Sequence, residues 1–113
     1  MEGLINDILK KIRDYSSEQV ELTSYCLNRI KERNVEEAIV ISTLFSKNNL
    51  YYVEEQLKPY RRKIEKRHKL IFKISSKYSL IIVIAFYPKV LKVVNVIKTS
   101  KGVEKQWRKK ILK

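Results

Sequence analysis

Apolar side chains recur at three- and four-residue intervals between residues 2 and 15, which is the spacing of one face of a helix. This stripe consists of Leu4, Ile5, Ile8, Leu9 and Ile12. Acidic residues lie early in the segment and basic residues lie late, which complements the helix dipole. The pattern therefore predicts a first helix over residues 2–15.

The next segment predicts two further helices. Residues 19–23 suit a short strand or the lead-in to a helix, and Thr23 or Ser24 can cap a helix that runs to Arg33. Asn34 and Glu37 have the spacing of a capping box, which predicts that a third helix begins there. Its apolar stripe is expected to be Val35, Ala38, Ile39, Ser42 and Phe45.

From residue 50 onward the period changes to the alternation that is typical of strands. Residues 50–57 predict a strand that Pro59 interrupts, and residues 60–65 predict a second, basic strand. Residues 69–75 predict a third strand with two distinct sides. One side carries Leu70, Phe72 and Ile74, and the other carries Lys69, Ile71 and Lys73.

Residues 79–86 are apolar at nearly every position, which is typical of a central strand covered on both faces. Residues 90–98 predict a last strand. In the basic tail, residues 101–113, Val103, Trp107 and Ile111 recur every four residues and predict a short amphipathic helix. This order favours the α+β class, with N-terminal helices packed on a curved four- to five-stranded antiparallel sheet and a short basic C-terminal helix. A length of 113 residues suits a single domain, residues 1–113.

The charge is divided unevenly along the chain. Residues 1–57 carry seven Lys/Arg and ten Asp/Glu, a net of −3, whereas residues 58–113 carry eighteen Lys/Arg and two Asp/Glu, a net of +16. A field of this strength favours a polyanionic partner, because it otherwise only repels itself in the folded state.

Several classes of protein are excluded or disfavoured. Cys26 is the only cysteine, so the chain has neither an intramolecular disulfide nor a cysteine metal cluster, and a buried apolar role is favoured over a catalytic thiol. No Gly-rich phosphate loop or metal-ligand motif is present, and we expect no metal and no cofactor. No apolar stretch is long enough to span a bilayer. We therefore expect a cytoplasmic protein without a transmembrane segment.

The densest basic segment covers residues 58–69. Its cations suit phosphate groups, and its ring side chains suit stacking on unpaired bases. The alternative is a solvated, lysine-rich strand edge that deters aggregation. The candidate nucleic-acid-binding residues of this region are Lys58, Tyr60, Arg61, Lys63, Lys66, Arg67 and Lys73.

Two further groups are candidates for the same surface. Tyr25, Arg29 and Arg33 share one helical face, where they extend the phosphate-binding surface or pair with nearby glutamates. Arg108 lies in the tail, where Trp107 either anchors the tail on the sheet or stacks on a base. A basic amphipathic tail also suits an anionic membrane surface, so a peripheral membrane protein is a third alternative.

Two segments resemble known prokaryotic families. Residues 62–74 (RKIEKRHKLIFKI) are similar to the "RRI…HRLVY" strand pair of the RelE/ParE toxin superfamily in its YoeB-like branch. Residues 22–35 (LTSYCLNRIKERNV) are similar to the T-x-H-A-x-x-R-x-x-x-R-x-I signature of a small uncharacterised family placed near the same fold. The resemblance covers residues 19–98 and leaves the first helix (residues 1–15) and the basic tail (residues 101–113) as additions.

The resemblance implies a metal-independent endoribonuclease toxin whose basic sheet face holds RNA, often on the ribosome, and whose partner is a small acidic antitoxin. Such an enzyme activates a 2′-hydroxyl against the adjacent phosphate. By position, Lys69 takes the place of the family's catalytic arginine and His68 that of the preceding histidine, while Arg61 and Arg62 hold phosphate. Proton transfer would fall to Tyr25 or Glu65. His68, the only histidine, otherwise fits a strand residue with local hydrogen bonds.

Three departures from the family pattern keep a second hypothesis open. The catalytic arginine is replaced by Lys69, the histidine of the second signature is replaced by Tyr25, and the last strand has no His-Tyr pair. The alternative is therefore a non-catalytic nucleic-acid-binding protein with the same fold. The first helix is expected to pack on its own domain or on a second copy in a homodimer.

Overall fold

The structure is a computed structural model, and it describes residues 2–46 and 48–100. Three α-helices and five strands make up this part of the chain, with a 3-10 turn at Ser17–Gln19 after the first helix. The elements are α1 (Glu2–Arg13), β1 (Val20–Leu22), α2 (Ser24–Glu32), α3 (Glu37–Leu44), β2 (Leu50–Tyr60), β3 (Lys63–Lys73), β4 (Tyr78–Phe86) and β5 (Leu91–Ser100). The predicted α+β class is confirmed, whereas the predicted C-terminal helix lies outside the described residues.

The five strands form one open, mixed sheet in the order β1-β5-β4-β3-β2. Strands β2 to β5 form an antiparallel meander, and β4 is its central strand as predicted. The expectation of a wholly antiparallel sheet is wrong at one edge, because β1 pairs with β5 in parallel. A parallel pair needs a long connection, and here α2, α3 and strands β2 to β4 lie between the two strands in the chain.

One face of the sheet, called here the helix face, is covered by all three helices. Apolar residues of α1, α2 and α3 form a single buried cluster with strand residues of this face, including Leu70 and Phe72 of β3. In α1 the buried residues are Ile8, Leu9 and Ile12, so this helix packs on its own domain. Cys26 of α2 is completely buried in the same cluster, and burial raises the pKa of its thiol to about 11.

The junction of α2 and α3 differs from the sequence prediction. Asn34 has a φ of 55°, and the amide of Val35 donates to the carbonyl oxygen of Ile30, six-to-one, while the amide of Asn34 donates to Lys31. These two bonds define a Schellman motif that ends α2, and Asn34 is its left-handed residue. Asn34 therefore closes one helix and does not cap the next, so the predicted capping box is wrong.

Helix α3 also buries a different face from the predicted one. It begins at Glu37 and buries Val40, Thr43 and Leu44, whereas Ala38, Ile39 and Ser42 are exposed. The predicted stripe was counted from Val35, which belongs to the end of α2 and not to α3. The helix carries apolar residues on all sides, so its sequence alone does not indicate the buried face.

Strand β2 is longer than predicted, and the segments predicted as two separate strands at 60–65 and 69–75 are parts of the single strand β3. Strands β2 and β3 join in a two-residue turn. Pro59 lies within β2 and pairs with Ile64, so it does not interrupt the strand. Strand β2 is at the edge of the sheet, where a residue without an amide hydrogen is tolerated. In the described part of the chain, no helix has the length and apolar character needed to cross a membrane.

Candidate nucleic-acid interface

A cleft of about 670 Å³ lies on the second face of the sheet, called here the open face. A buried apolar cluster on this face comes from strands alone: Tyr52, Ile71 and Ile81. The cleft lies beside them, between β2, β3, β5 and the start of α2. Its lining residues are Thr23, Ser24, Tyr25, Gln56, Lys58, Tyr60, Arg67, Val83, Lys92, Val94 and Asn95.

Strand register brings the polar residues of the cleft side by side. Gln56 pairs with Arg67, and Lys58 pairs with Glu65 across the β2–β3 ladder. Directly opposite residues in a sheet point to the same side, so these four side chains share the open face. On β4 and β5, Ala85 pairs with Lys92, which brings a third cation to the cleft.

Glu65 lies beneath the cleft and is hydrogen-bonded by three side chains. One carboxylate oxygen accepts from Nε of Arg67 at 2.6 Å, and the other accepts from Nζ of Lys92 at 3.1 Å and from the hydroxyl of Tyr87. Only 7% of Glu65 is exposed. Burial alone would raise the pKa of Glu65, but the bonds from Tyr87, Arg67 and Lys92 lower it to about 2. The carboxylate is therefore ionised at neutral pH, and its bond raises the pKa of Tyr87.

Lys92 is held from two sides. Besides its bond to Glu65, its Nζ lies 4.0 Å from the centre of the Tyr60 ring, a cation–π contact. Counting Lys58, Arg67 and Lys92 against Glu65 gives the cleft a net charge of +2. The cleft is thus cationic although a buried carboxylate lies beneath it.

A bulge in β5 shapes the opposite wall of the cleft. Val83 pairs with Asn95 and Ile84 with Val93, which leaves Val94 as an extra residue. Thr23 fixes α2 to this bulge, because its amide donates to the carbonyl of Val93 and its hydroxyl donates to that of Val94. The Thr23 hydroxyl also accepts from the amide of Cys26 and so caps α2, as the sequence predicted. Bulges commonly lie beside functional sites because they redirect side chains.

The predicted basic cluster is divided between the two faces. Alternation along β3 and its pairing with β2 place six of the predicted residues on the open face: Lys58, Tyr60, Lys63, Arg67, Lys69 and Lys73. Lys66 and His68 lie on the helix face, where Lys66 pairs with Glu55 at 3.4 Å. The segment that looks continuous in sequence is therefore two surfaces, and only one of them borders the cleft.

His68 is a buried strand residue, and it does not line the cleft. It is 6% exposed and its ring meets the edge of Phe86, with 5.5 Å between the centroids. Burial lowers the pKa of His68, and its Nδ1 has no hydrogen-bond partner in the described part of the chain. Lys69, the next residue, points to the opposite face.

The three residues of the predicted catalytic group do not converge on one site. Lys69 and His68 lie on opposite faces of β3, and Arg62 lies in the β2–β3 turn. Arg62 and His68 are six positions apart along extended backbone, a distance of roughly 20 Å. The arginine of β3 that borders the cleft is Arg67.

The residues predicted on α2 have separate surroundings. Tyr25 is 55% exposed at the cleft mouth, and the guanidinium of Arg29 lies 5.7 Å from its ring centre. Arg29 also pairs with Glu32 at 3.3 Å, as the alternative interpretation of this face predicted. Arg33 donates to the carbonyl of Val96 at 2.6 Å, so it joins α2 to β5. Of this group, Tyr25 lines the cleft. Arg108 lies outside the described residues.

The β2–β3 turn consists of two arginines in a left-handed conformation. Arg61 and Arg62 have φ values of 48° and 66°, which with the Tyr60–Lys63 pairing makes a type I′ turn. Such turns favour Asn-Gly, and an ordinary residue in this conformation costs about 1–2 kcal/mol. Arg61 also lies 5.2 Å from the centre of the Tyr60 ring. The turn therefore keeps two exposed cations next to the cleft at a cost in stability.

Replacement of this turn with R61N/R62G is expected to raise the free energy of unfolding by about 1 kcal/mol, because Asn and Gly adopt positive φ more readily than arginine. Urea unfolding monitored by circular dichroism measures the change. The control is R61Q/R62Q, which removes the same two charges without relieving the backbone. If the Asn-Gly variant is no more stable than the Gln-Gln variant, the turn is not strained.

The residues of the site that the sequence did not predict include Gln56, Tyr87, Lys92 and Asn95. The sequence signal that could have found part of this site is in β5, where the buried residues are Leu91, Val93 and Val96. This spacing of two and then three breaks strict alternation and indicates a bulge at Val94 and Asn95.

The described residues include no group of three or more His, Cys, Asp or Glu side chains placed to bind a metal. No protein-family model matches this chain, and neither a curated protein nor a solved structure matches it. A functional proposal therefore rests on the open face and its cleft.

Proposed function

We propose that this protein binds single-stranded nucleic acid, with RNA as the expected ligand, in the cleft of the open face. The observation that carries the proposal is the cationic cleft on the sheet face opposite the helices, where Lys58, Arg67 and Lys92 lie beside two tyrosines. Arginine and lysine bind phosphate through charge-assisted hydrogen bonds. Tyr25 and Tyr60 offer rings on which unpaired bases can stack, a contact worth about 1–3 kcal/mol per base.

The cleft suits one strand better than a duplex. Its volume of about 670 Å³ is enclosed by the α2 start on one side and by β2 on the other. Stacking on Tyr25 or Tyr60 requires bases that are not paired, as in loops and strand ends. We therefore expect single strands to bind more tightly than duplexes of equal length.

Fluorescence anisotropy with a labelled ten-nucleotide RNA tests this proposal. Binding is expected to weaken steeply with salt, with log K falling by about 0.7 per unit of log salt for each phosphate contact. The same sequence as single-stranded DNA and as an RNA duplex provides the comparison. The proposal is contradicted if neither single strand binds in a salt-dependent way, or if the duplex binds more tightly than the single-stranded RNA.

A metal-independent ribonuclease of the RelE type is the second candidate. It is favoured by the order of elements, in which α2 and α3 directly precede the meander, and by the carboxylate, guanidinium and ammonium that meet at Glu65. In such an enzyme Arg67 and Lys92 would neutralise charge that develops on the phosphate. His68 faces away from the cleft, so its proton transfer does not reach an RNA bound there.

Incubation of end-labelled RNA, free or ribosome-bound, with the protein in a chelating buffer tests the second candidate. Cleavage that leaves a 2′,3′-cyclic phosphate and that falls with Lys69→Ala or Arg67→Gln supports it. Binding without cleavage leaves the first proposal alone. As a toxin, the protein would act in the cytoplasm, and a neighbouring gene for a small acidic protein would supply the antitoxin.

A further inference from the structure

We propose that the cleft holds one phosphoryl group of the RNA between Arg67 and Lys92, and that Glu65 beneath them is the positioning residue of this subsite. This inference rests on the nucleic-acid binding proposed above. It assigns a phosphate-binding role to Lys92, and it gives a buried acid a part in binding an anion.

The hydrogen bonds of Glu65 do not use all the donors of the two cations that line the cleft. Arg67 contacts the carboxylate through Nε, so the two terminal nitrogens of its guanidinium are left for a ligand. These nitrogens form the fork that arginine presents to phosphate. Lys92 donates one hydrogen bond to Glu65, and its ammonium group has three N–H donors. Both side chains line the cleft and are 16–18% exposed, whereas Glu65 does not line it.

The two cations are fixed before a ligand arrives. Long cationic side chains normally lose conformational entropy when a ligand immobilises them, which opposes binding. Here Glu65 restrains both heads, the ring of Tyr60 restrains Lys92, and the hydroxyl of Tyr87 restrains Glu65. The carboxylate thus lowers the entropic cost of binding, although its own charge repels a phosphate.

The charge of Glu65 opposes phosphate binding, whereas its restraint of Arg67 and Lys92 favours it. Removing the carboxylate therefore tests which of the two effects is larger. If Glu65 acted only through its charge, Glu65→Gln would remove a repulsion and tighten RNA binding. As the positioning residue, its loss releases Arg67 and Lys92, and we expect Glu65→Gln to weaken binding about tenfold. Anisotropy titrations with the ten-nucleotide RNA measure the change, and urea unfolding establishes that the variant is folded.

A second variant covers the case in which Glu65→Gln does not fold. Tyr87→Phe removes only the hydroxyl that donates to Glu65, keeps the ring and changes no charge at neutral pH. We expect it to weaken RNA binding about threefold. Unchanged or tighter binding by Tyr87→Phe contradicts the proposal.

The effect of Glu65→Gln in the unaltered protein is compared with its effect in an R67Q/K92Q protein. This comparison separates a positioning role from general damage to the fold. In an R67Q/K92Q protein there are no cations to position, so adding Glu65→Gln is expected not to weaken binding further. Equal weakening in both backgrounds overturns the inference. Glu55→Gln is the matched control, because it removes the same charge from the helix face and is expected to leave binding within about twofold.

The outcomes separate this inference from the proposed function. If the unaltered protein does not bind RNA, the proposed function fails. If it binds RNA and Glu65→Gln binds equally or more tightly, the positioning role fails while the proposed function stands.

Discussion

Simultaneous replacement of Arg67 and Lys92 with glutamine is expected to weaken binding of single-stranded RNA by about 100-fold or more. Each cation lines the cleft and offers charge-assisted hydrogen bonds, which contribute about 1.5–3 kcal/mol each. Two such losses amount to about 3 kcal/mol or more, and 1.4 kcal/mol is tenfold in affinity. The dependence of log K on log salt should also become shallower by about 0.7, the value for one neutralised phosphate on a single strand.

The matched control removes two charges from the opposite side of the molecule. Lys10 and Lys31 are exposed on α1 and α2, so K10Q/K31Q lowers the net charge equally without touching the cleft. We expect this control to weaken binding less than threefold. If both double variants weaken binding to the same extent, general charge and not the cleft accounts for RNA binding.

A triple variant tests whether weak RNA binding by R67Q/K92Q comes from loss of folding. R67Q/K92Q leaves Glu65 buried without its two cations, which lowers stability. Adding Glu65→Gln removes the unpaired charge, so the triple variant should regain much of that stability. RNA binding should nevertheless stay weak, because the phosphate-binding cations are still absent.

Acidification from pH 5 to pH 2 is expected to remove about 3 kcal/mol from the free energy of unfolding through Glu65 alone. Hydrogen bonds lower the pKa of Glu65 from 4.5 in an unfolded chain to about 2 in the fold. A group with a lowered pKa stabilises the fold fully above its unfolded pKa, and this contribution disappears as the pH falls through the folded value. Each unit of difference corresponds to about 1.4 kcal/mol.

His68 adds an earlier loss in the same direction. Burial lowers the pKa of His68 below 6.5, so the fold disfavours its charged form. Its contribution to stability is present above pH 6.5 and is lost as the pH falls below that value. Urea unfolding at a series of pH values separates the two groups. In Glu65→Gln the loss of unfolding free energy between pH 4.5 and pH 2 should be smaller by about the same 3 kcal/mol. If the unfolding free energy of the unaltered protein does not change in this pH range, the role of Glu65 is contradicted.

Much of the fold was accessible from local patterns. The stripe of Ile8, Leu9 and Ile12 indicated α1, and the alternation around Leu70 and Phe72 indicated which side of β3 is buried. These predictions succeeded because burial imposes a period of 3.6 or 2 on the sequence. The parallel pairing of β1 with β5 could not be predicted from the sequence, since it joins segments about seventy residues apart. Strand β1 has only three residues, which are too few to show an alternating pattern.

The site was less predictable than the fold. Charge located the basic region, but the direction of each side chain depends on register, which separates His68 from Arg67 although the two are adjacent. Lys92 joins the cleft only because β5 returns beside β4, and Glu65 is buried only because its three partners converge from β3, β5 and the Tyr87 turn. Such convergence is a property of tertiary structure and leaves no local signal.

The burial of Cys26 gives the chain an internal reporter of its own opening. As the only thiol, fully covered where α2 meets the sheet, it is shielded from a water-soluble thiol reagent until that contact separates. The rate of its labelling therefore follows the separation of the helical layer from the sheet, without any introduced probe. RNA that binds on the far side of the same sheet and prefers the state in which helices and sheet are in contact would slow this reaction. The labelling rate of Cys26 would then report whether the cleft is occupied.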